Sequence, residues 1–128
     1  MSILGVHAPD DDGDLPIHGK TSRGKVRLDI KEPWGVRVLA LAARGVPMKA
    51  AVLKEINAAN LSVRGIRVVL RKDGNVRVEY LLFADAVTTD NLRSVIGGVL
   101  ELADELGPML ATVYGGSTPI TPSAASEG

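Results

Sequence analysis

Residues 65–83, GIRVVLRKDGNVRVEYLLF, read as two β-strands around one tight turn. Ile66, Val68 and Leu70 alternate with Arg67, Val69 and Arg71. Val76, Val78, Tyr80 and Leu82 alternate with Arg77, Glu79, Leu81 and Phe83. Period-2 alternation of β-branched and aromatic residues marks half-buried strands, and Asp73-Gly74 marks the turn. Directly opposed residues share a face. A two-residue loop would set Leu70 opposite Arg77 and mix the faces. A three-residue loop, Lys72 to Gly74, sets Leu70 opposite Val76, Val68 opposite Val78, Ile66 opposite Tyr80 and Arg67 opposite Glu79. That register predicts a type I turn closed by Gly74 at positive φ, which glycine adopts without steric cost. A one-residue slip would turn a whole strand inside out.

The pattern extends outward in both directions. Lys25–Ile30 and Val36–Ala43 alternate in the same way and predict an earlier hairpin. A five-residue loop would pair Ile30 with Val36 and set Asp29 against Arg37. Pro47 suits a first helical turn. Met48 to Asn60 follows with Met48, Val52, Ile56 and Ala59 on one stripe and Asn60 as the stop. Thr88-Thr89-Asp90 opens a second helix by capping free N–H groups and placing an acid at the positive end. Leu92, Val95, Ile96, Val99, Leu100, Ala103 and Leu106 give it a broad apolar stripe. Gly97-Gly98 predicts close packing, Gly107-Pro108 a kink or restart, and Gly115-Gly116 the end. The order β-β-α-β-β-α implies an α+β two-layer domain, an antiparallel sheet with helices on one face. Residues 1–24 read as a flexible arm, 25–116 as the domain, and 117–128 as a disordered tail.

One domain is expected from 128 residues. With no Cys, no disulfide framework or thiolate chemistry is available, which fits a reducing cytoplasm. No run of apolar residues is long enough to span a membrane, and residues 1–24 lack the pattern of a secretory signal. Formal charge is zero, yet residues 25–115 hold 13 basic and 10 acidic residues. That excess is too mild for a dedicated nucleic-acid surface.

Little catalytic chemistry is on offer. His7 and His18 fall in the expected arm, where a base has no fixed geometry. No Gly-x-Ser-x-Gly elbow or Gly-rich phosphate loop occurs. Asp10-Asp11-Asp12-Gly13-Asp14 lacks the twelfth-position Glu of a calcium loop, since that place holds Thr21. Asp104 and Glu105 read as a solvated helix face. The expectation is no enzyme, no metal and no cofactor.

The second face of the sheet is more informative. It carries Leu39, Leu41, Val69, Leu81 and Phe83 among Arg37, Arg67 and Arg71, with Arg77 and Glu79 alongside. Large exposed apolar patches mark contact with another chain, and Arg is enriched at interfaces. The alternative is that arm or tail folds back over this face. Arginines on strands also raise a nucleic-acid reading, but base stacking needs aromatics and only Phe83 is available there.

The run IRVVLRKDGNVRVEYLLFADAVTTDNLRSVIGGVLELADELGPMLATVYGG resembles the YbjN-like group, related in fold to type III secretion chaperones of the CesT kind. The shared features are a strand, an Asp-Gly turn, a long strand, a Thr-started helix with spaced leucines and a terminal aromatic-Gly-Gly. The helix carrying Asn57 and Asn60 is similar to the family's Asn-bearing helix. The resemblance covers roughly residues 25–116. It implies a cytoplasmic, often dimeric α+β domain that holds peptides or protein segments without catalysis. The family has a helix before its first strand and often three strands before its middle helix, whereas two strands are read here.

Overall fold

The computed structural model describes residues 14–29, 34–62 and 65–121. Five strands and two α-helices follow in the order β1 (Leu15–His18), β2 (Arg23–Asp29), β3 (Gly35–Ala43), α1 (Ala50–Ser62), β4 (Arg67–Leu70), β5 (Val76–Phe83) and α2 (Thr89–Tyr114). The strands form one antiparallel sheet ordered β1-β2-β3-β5-β4. The fold is α+β in two layers.

The β4–β5 hairpin has the register its side chains dictate: Arg67 faces Glu79, Val68 faces Val78 and Leu70 faces Val76. Gly74 sits at φ +87°. Its N–H donates to Arg71 O, and Arg71 N–H donates to Asn75 O, both at 2.9 Å. The β2–β3 register differs from expectation by two residues. Leu28, not Ile30, lies opposite Val36, and Arg27 lies opposite Arg37. A two-residue shift keeps every side chain on its face, so alternation alone cannot fix it. Asp29 still reaches Arg37 diagonally at 3.0 Å.

β1 is an addition. It lies in the stretch read as an arm, and His18 is on it. With four residues and Pro16 among them, it is too short to show a period. Its support is distant in sequence. The Asp104 carboxylate on α2 accepts hydrogen bonds from the backbone N–H of Lys20, Thr21 and Ser22 at 2.9, 3.0 and 3.1 Å. The Thr21 and Ser22 hydroxyls add two more, at 3.3 and 2.8 Å. The solvated role expected of Asp104 is therefore replaced by a clamp that holds the β1–β2 turn against α2. Past α2, Arg44 and Ser117 exchange backbone hydrogen bonds at 2.7 and 2.9 Å, and Ile120 N–H donates to Thr21 O at 3.0 Å. Residues 117–121 are thus tied to the sheet where a tail was expected; residues 1–13 and 122–128 lie outside the described residues.

The core sits between the sheet and the helices. Val38, Ala40, Val76 and Val78 are fully buried from the sheet, and Val52, Ile96, Val99, Ala103 and Leu110 from the helices. The expected covering of Leu28 does not occur, since it stays 60% exposed at the end of the sheet. Helix α1 begins after Met48, which is exposed, and runs past Asn60 to Ser62. Helix α2 is capped by Thr88, whose Oγ1 accepts from Asn91 N–H at 3.0 Å. Of the kink or restart expected at Gly107-Pro108, the restart does not occur, since α2 continues through Pro108 as one helix. A close approach is found at Gly107, where an added Cβ would fall 2.1 Å from Ala42 O. At Gly98 the nearest neighbour would be Ile66 Cδ1 at 3.5 Å, an ordinary contact.

Two expectations follow. Gly107→Ala should lower stability by about 1–3 kcal/mol through overpacking against backbone, while Gly98→Ala should raise it by about 0.5–1 kcal/mol through helix propensity. Thermal unfolding of the two variants checks the opposite signs. The second concerns Asp104. Burial pushes its carboxyl upward, but the bonds from Thr21, Lys20 and Ser22 outweigh this and hold it below the ordinary carboxylate range. A depressed carboxyl contributes stability that is complete above its unfolded pKa and lost as pH falls through its folded one. Asp104→Asn should therefore cost about 1–3 kcal/mol near neutrality, and the deficit should shrink as pH falls through the acid limb. Urea unfolding across that range measures it.

Candidate functional site

Alternation on β3 and β5 places half of their side chains on the face away from the core, and no described element covers it. Along β3 this open face presents Arg37, Leu39 and Leu41. Along β5 it presents Phe83, Leu81, Glu79 and Arg77. Lys25 lies opposite Leu39, and Arg23 opposite Leu41. Leu39, Leu41, Val69 and Leu81 are half-buried, and Phe83 is 52% exposed.

The residues singled out from sequence are not one patch. Leu81 lies opposite Arg37, so it is the diagonal neighbour of Leu39, within reach of its side chain. Leu41, Leu39, Leu81 and Phe83 therefore form a diagonal apolar track over the two central strands. Val69 is separated from Leu41 by Arg77, which pairs with both. Arg71 stands at the hairpin end of β4, away from Leu81 and Phe83.

Glu79 organises the charges. It is buried at 3% exposure, although it lies on the open face. Arg67 bonds its Oε1, Arg37 reaches the same oxygen at 3.6 Å, and Arg77 reaches Oε2 at 3.4 Å. Arg37 also bonds Asp29 at 3.0 Å. A carboxylate held among three guanidiniums is desolvated but compensated. The Arg67–Glu79 pairing was legible from the hairpin register. The hub was not, because Arg37 arrives from a strand whose neighbour in the sheet is not its neighbour in sequence.

Asn60 is the other residue whose role sequence reasoning missed. It does not stop α1. Its side-chain Oδ1 accepts from Val68 N–H at 2.7 Å, and its Nδ2 donates to Val68 O at 2.9 Å. Arg71 bonds Asn75 across the hairpin, so hydrogen-bonded pairs fall at alternate residues and Val68 directs its backbone groups outward from the edge. Asn60 occupies them. At the opposite edge, Gly19 N–H bonds Ser22 O at 2.9 Å. By the same alternation Pro16 faces outward, where it has no N–H to offer. Both edges of the sheet are thus partly closed to an added strand.

Elsewhere, a recess of about 540 Å³ lies between the β1–β2 turn and α2, lined by His18, Lys20, Leu100 and Asp104. Asp104 is already engaged with the turn there. Among the described residues, no group of three His, Asp or Glu is placed to hold a metal, and no helix is long and apolar enough to cross a membrane.

Glu79→Gln should destabilise the domain by about 1–3 kcal/mol, since three arginines lose their shared counter-charge. The cost should lie below the roughly 3–5 kcal/mol of a sealed ion pair, because the guanidiniums keep contact with water. Urea unfolding of the variant against wild type checks this.

Comparison with curated proteins gave no match. Comparison with family models gave a match over residues 2–122 to the family described as T3SS (YopN, CesT) and YbjN peptide-binding chaperone 1. The match extends beyond both ends of the 25–116 span that carried the resemblance. The three strands before α1 also remove the departure from the family's strand count. Matched over nearly its whole length, the chain belongs to the family of type III secretion and YbjN peptide-binding chaperones.

Proposed function

We propose that this domain binds a peptide or protein segment on the open face of its sheet, without catalysis, and acts as a cytoplasmic homodimer. The observation that carries the reading is the diagonal track of Leu41, Leu39, Leu81 and Phe83. It is apolar, flanked by arginines, and left uncovered by every described element. Membership of a peptide-binding chaperone family supports the segment-binding part. The partly closed edges support the face over strand addition, which would need free backbone groups at β4 or β1. Cytoplasmic placement is what the family resemblance implies.

Self-association fits the Leu81–Phe83 end. Phe83 is more than half exposed there, and Trp34 nearby is 46% exposed. A two-fold axis would bring two such ends together, each patch meeting its own copy. The basic end of the face, around Arg23 and Arg71, would remain open to a partner.

Sedimentation equilibrium tests the dimer. Wild type should give twice the 13.5 kDa chain mass, and Leu81→Asp should give the chain mass with an unchanged far-UV spectrum. Two identical monomer values would remove the self-association claim. Leu41→Asp, at the other end of the track, should leave the dimer intact and abolish segment binding.

A further inference from the structure

The segment-binding reading leaves the chemistry of the segment open, and the charges on the open face narrow it. Arg37, Arg67 and Arg77 are engaged with Glu79 and Asp29. Lys25 is engaged with Asp14 at 3.0 Å. Arg23, Arg27 and Arg71 remain. All three are exposed, and among the described residues none is ion-paired. Arg27 also lies directly opposite Arg37. Like charges in that position are destabilising, and Arg37 already directs its guanidinium to Asp29 and Glu79. The face therefore carries a cationic excess that its own carboxylates do not cancel, set around an apolar track.

The spacing of the two features adds to this. Arg23, Leu41, Arg77 and Val69 lie in one row across four strands, alternating basic and apolar. A chain laid along that row meets a cation and an apolar side chain in turn. Its best complement alternates acidic with apolar residues. A second copy of this chain would bring the same cations to the row, so charge disfavours self-pairing there.

Resting on the segment-binding reading, we propose that the ligand class is an acidic–apolar segment of a partner protein, seated across the Arg23–Leu41–Arg77–Val69 row with Arg71 at its margin. Carboxylates of the segment pair with Arg23 and Arg71, and its apolar residues lie on Leu41 and Leu39. Exposed ion pairs contribute roughly half a kcal/mol each. Two of them amount to about a fivefold gain in affinity over an uncharged segment.

The test uses three labelled extended peptides that alternate Leu and Val with Glu, Gln or Lys, titrated into the full chain by fluorescence anisotropy. The Glu peptide should bind about fivefold more tightly than the Gln peptide, with the Lys peptide weakest, and its advantage should fade as salt rises. Arg23→Glu with Arg71→Glu should erase the preference for Glu over Gln while the thermal midpoint holds, since neither residue is ion-paired among the described residues. Equal binding of Glu and Gln peptides, both lost in Leu41→Asp, would overturn the acidic preference and leave segment binding standing. Failure of all three peptides to bind would overturn both. A single-stranded RNA oligonucleotide that displaces the Glu peptide at lower concentration than unlabelled Glu peptide would overturn the proposal in favour of nucleic acid.

Discussion

Strand alternation imposes the governing constraint on this molecule. Any residue on β3 or β5 must face either the helices or the opposite side, and the helices cover one side alone. The core face solves its half with Val38, Ala40, Val76 and Val78, all fully buried. The other half cannot be wholly polar, because β3 and β5 are central strands and favour β-branched and large apolar residues. Glu79 shows the solution. Its carboxylate draws Arg37, Arg67 and Arg77 inward from three strands, and their stems shield neighbouring apolar surface. The open face is thereby partly dry with no described element laid over it. Phe83 and the leucines are what this arrangement leaves uncovered.

What the sequence makes legible is what local chemistry decides. The β4–β5 hairpin is one case: Asp73-Gly74, the alternating flanks and the Arg67–Glu79 opposition all require one register, and that register is found. The cap at Thr88 and the stop at Gly115 are others. The diagonal track follows from the same alternation, once β3 is known to lie beside β5. Where local signals permit two answers, the reading slips. The β2–β3 register moved by two residues because both alignments keep the faces, and the Asp29–Arg37 pair forms in either.

The rest was hidden because it is made of contacts far apart in the chain. Nothing within residues 15–18 announces a strand. What holds them is Asp104, 82 to 84 residues away, with five donors of the β1–β2 turn converging on its carboxylate. An Asp beside a Glu on a helix gives no local sign of such a task. Asn60 is similar. Its amide matches a backbone N–H and C=O together, which is why one side chain closes Val68 so fully. A carboxylate, with acceptors alone, would satisfy the N–H and repel the carbonyl.

These distant locks also bear on how the open face works. A flat surface with few deep contacts gains affinity only if little ordering accompanies binding. The strands that present the face are fixed from behind and from the sides. Gly107 lets α2 approach the backbone of β3, Asp104 ties the turn beside Arg23 to that helix, and Asn60 ties α1 to β4. Arg77 and Arg67 are held by Glu79, so the proposed segment would meet side chains that are already oriented. The cost of ordering then falls almost wholly on the incoming chain. Blocked edges complete the logic, because a segment that added itself as a sixth strand would be held by backbone groups that any sequence carries. Contact through the face, as proposed, would put recognition on side chains, where an alternation of acids and apolar residues can be told from its neutral or basic counterpart.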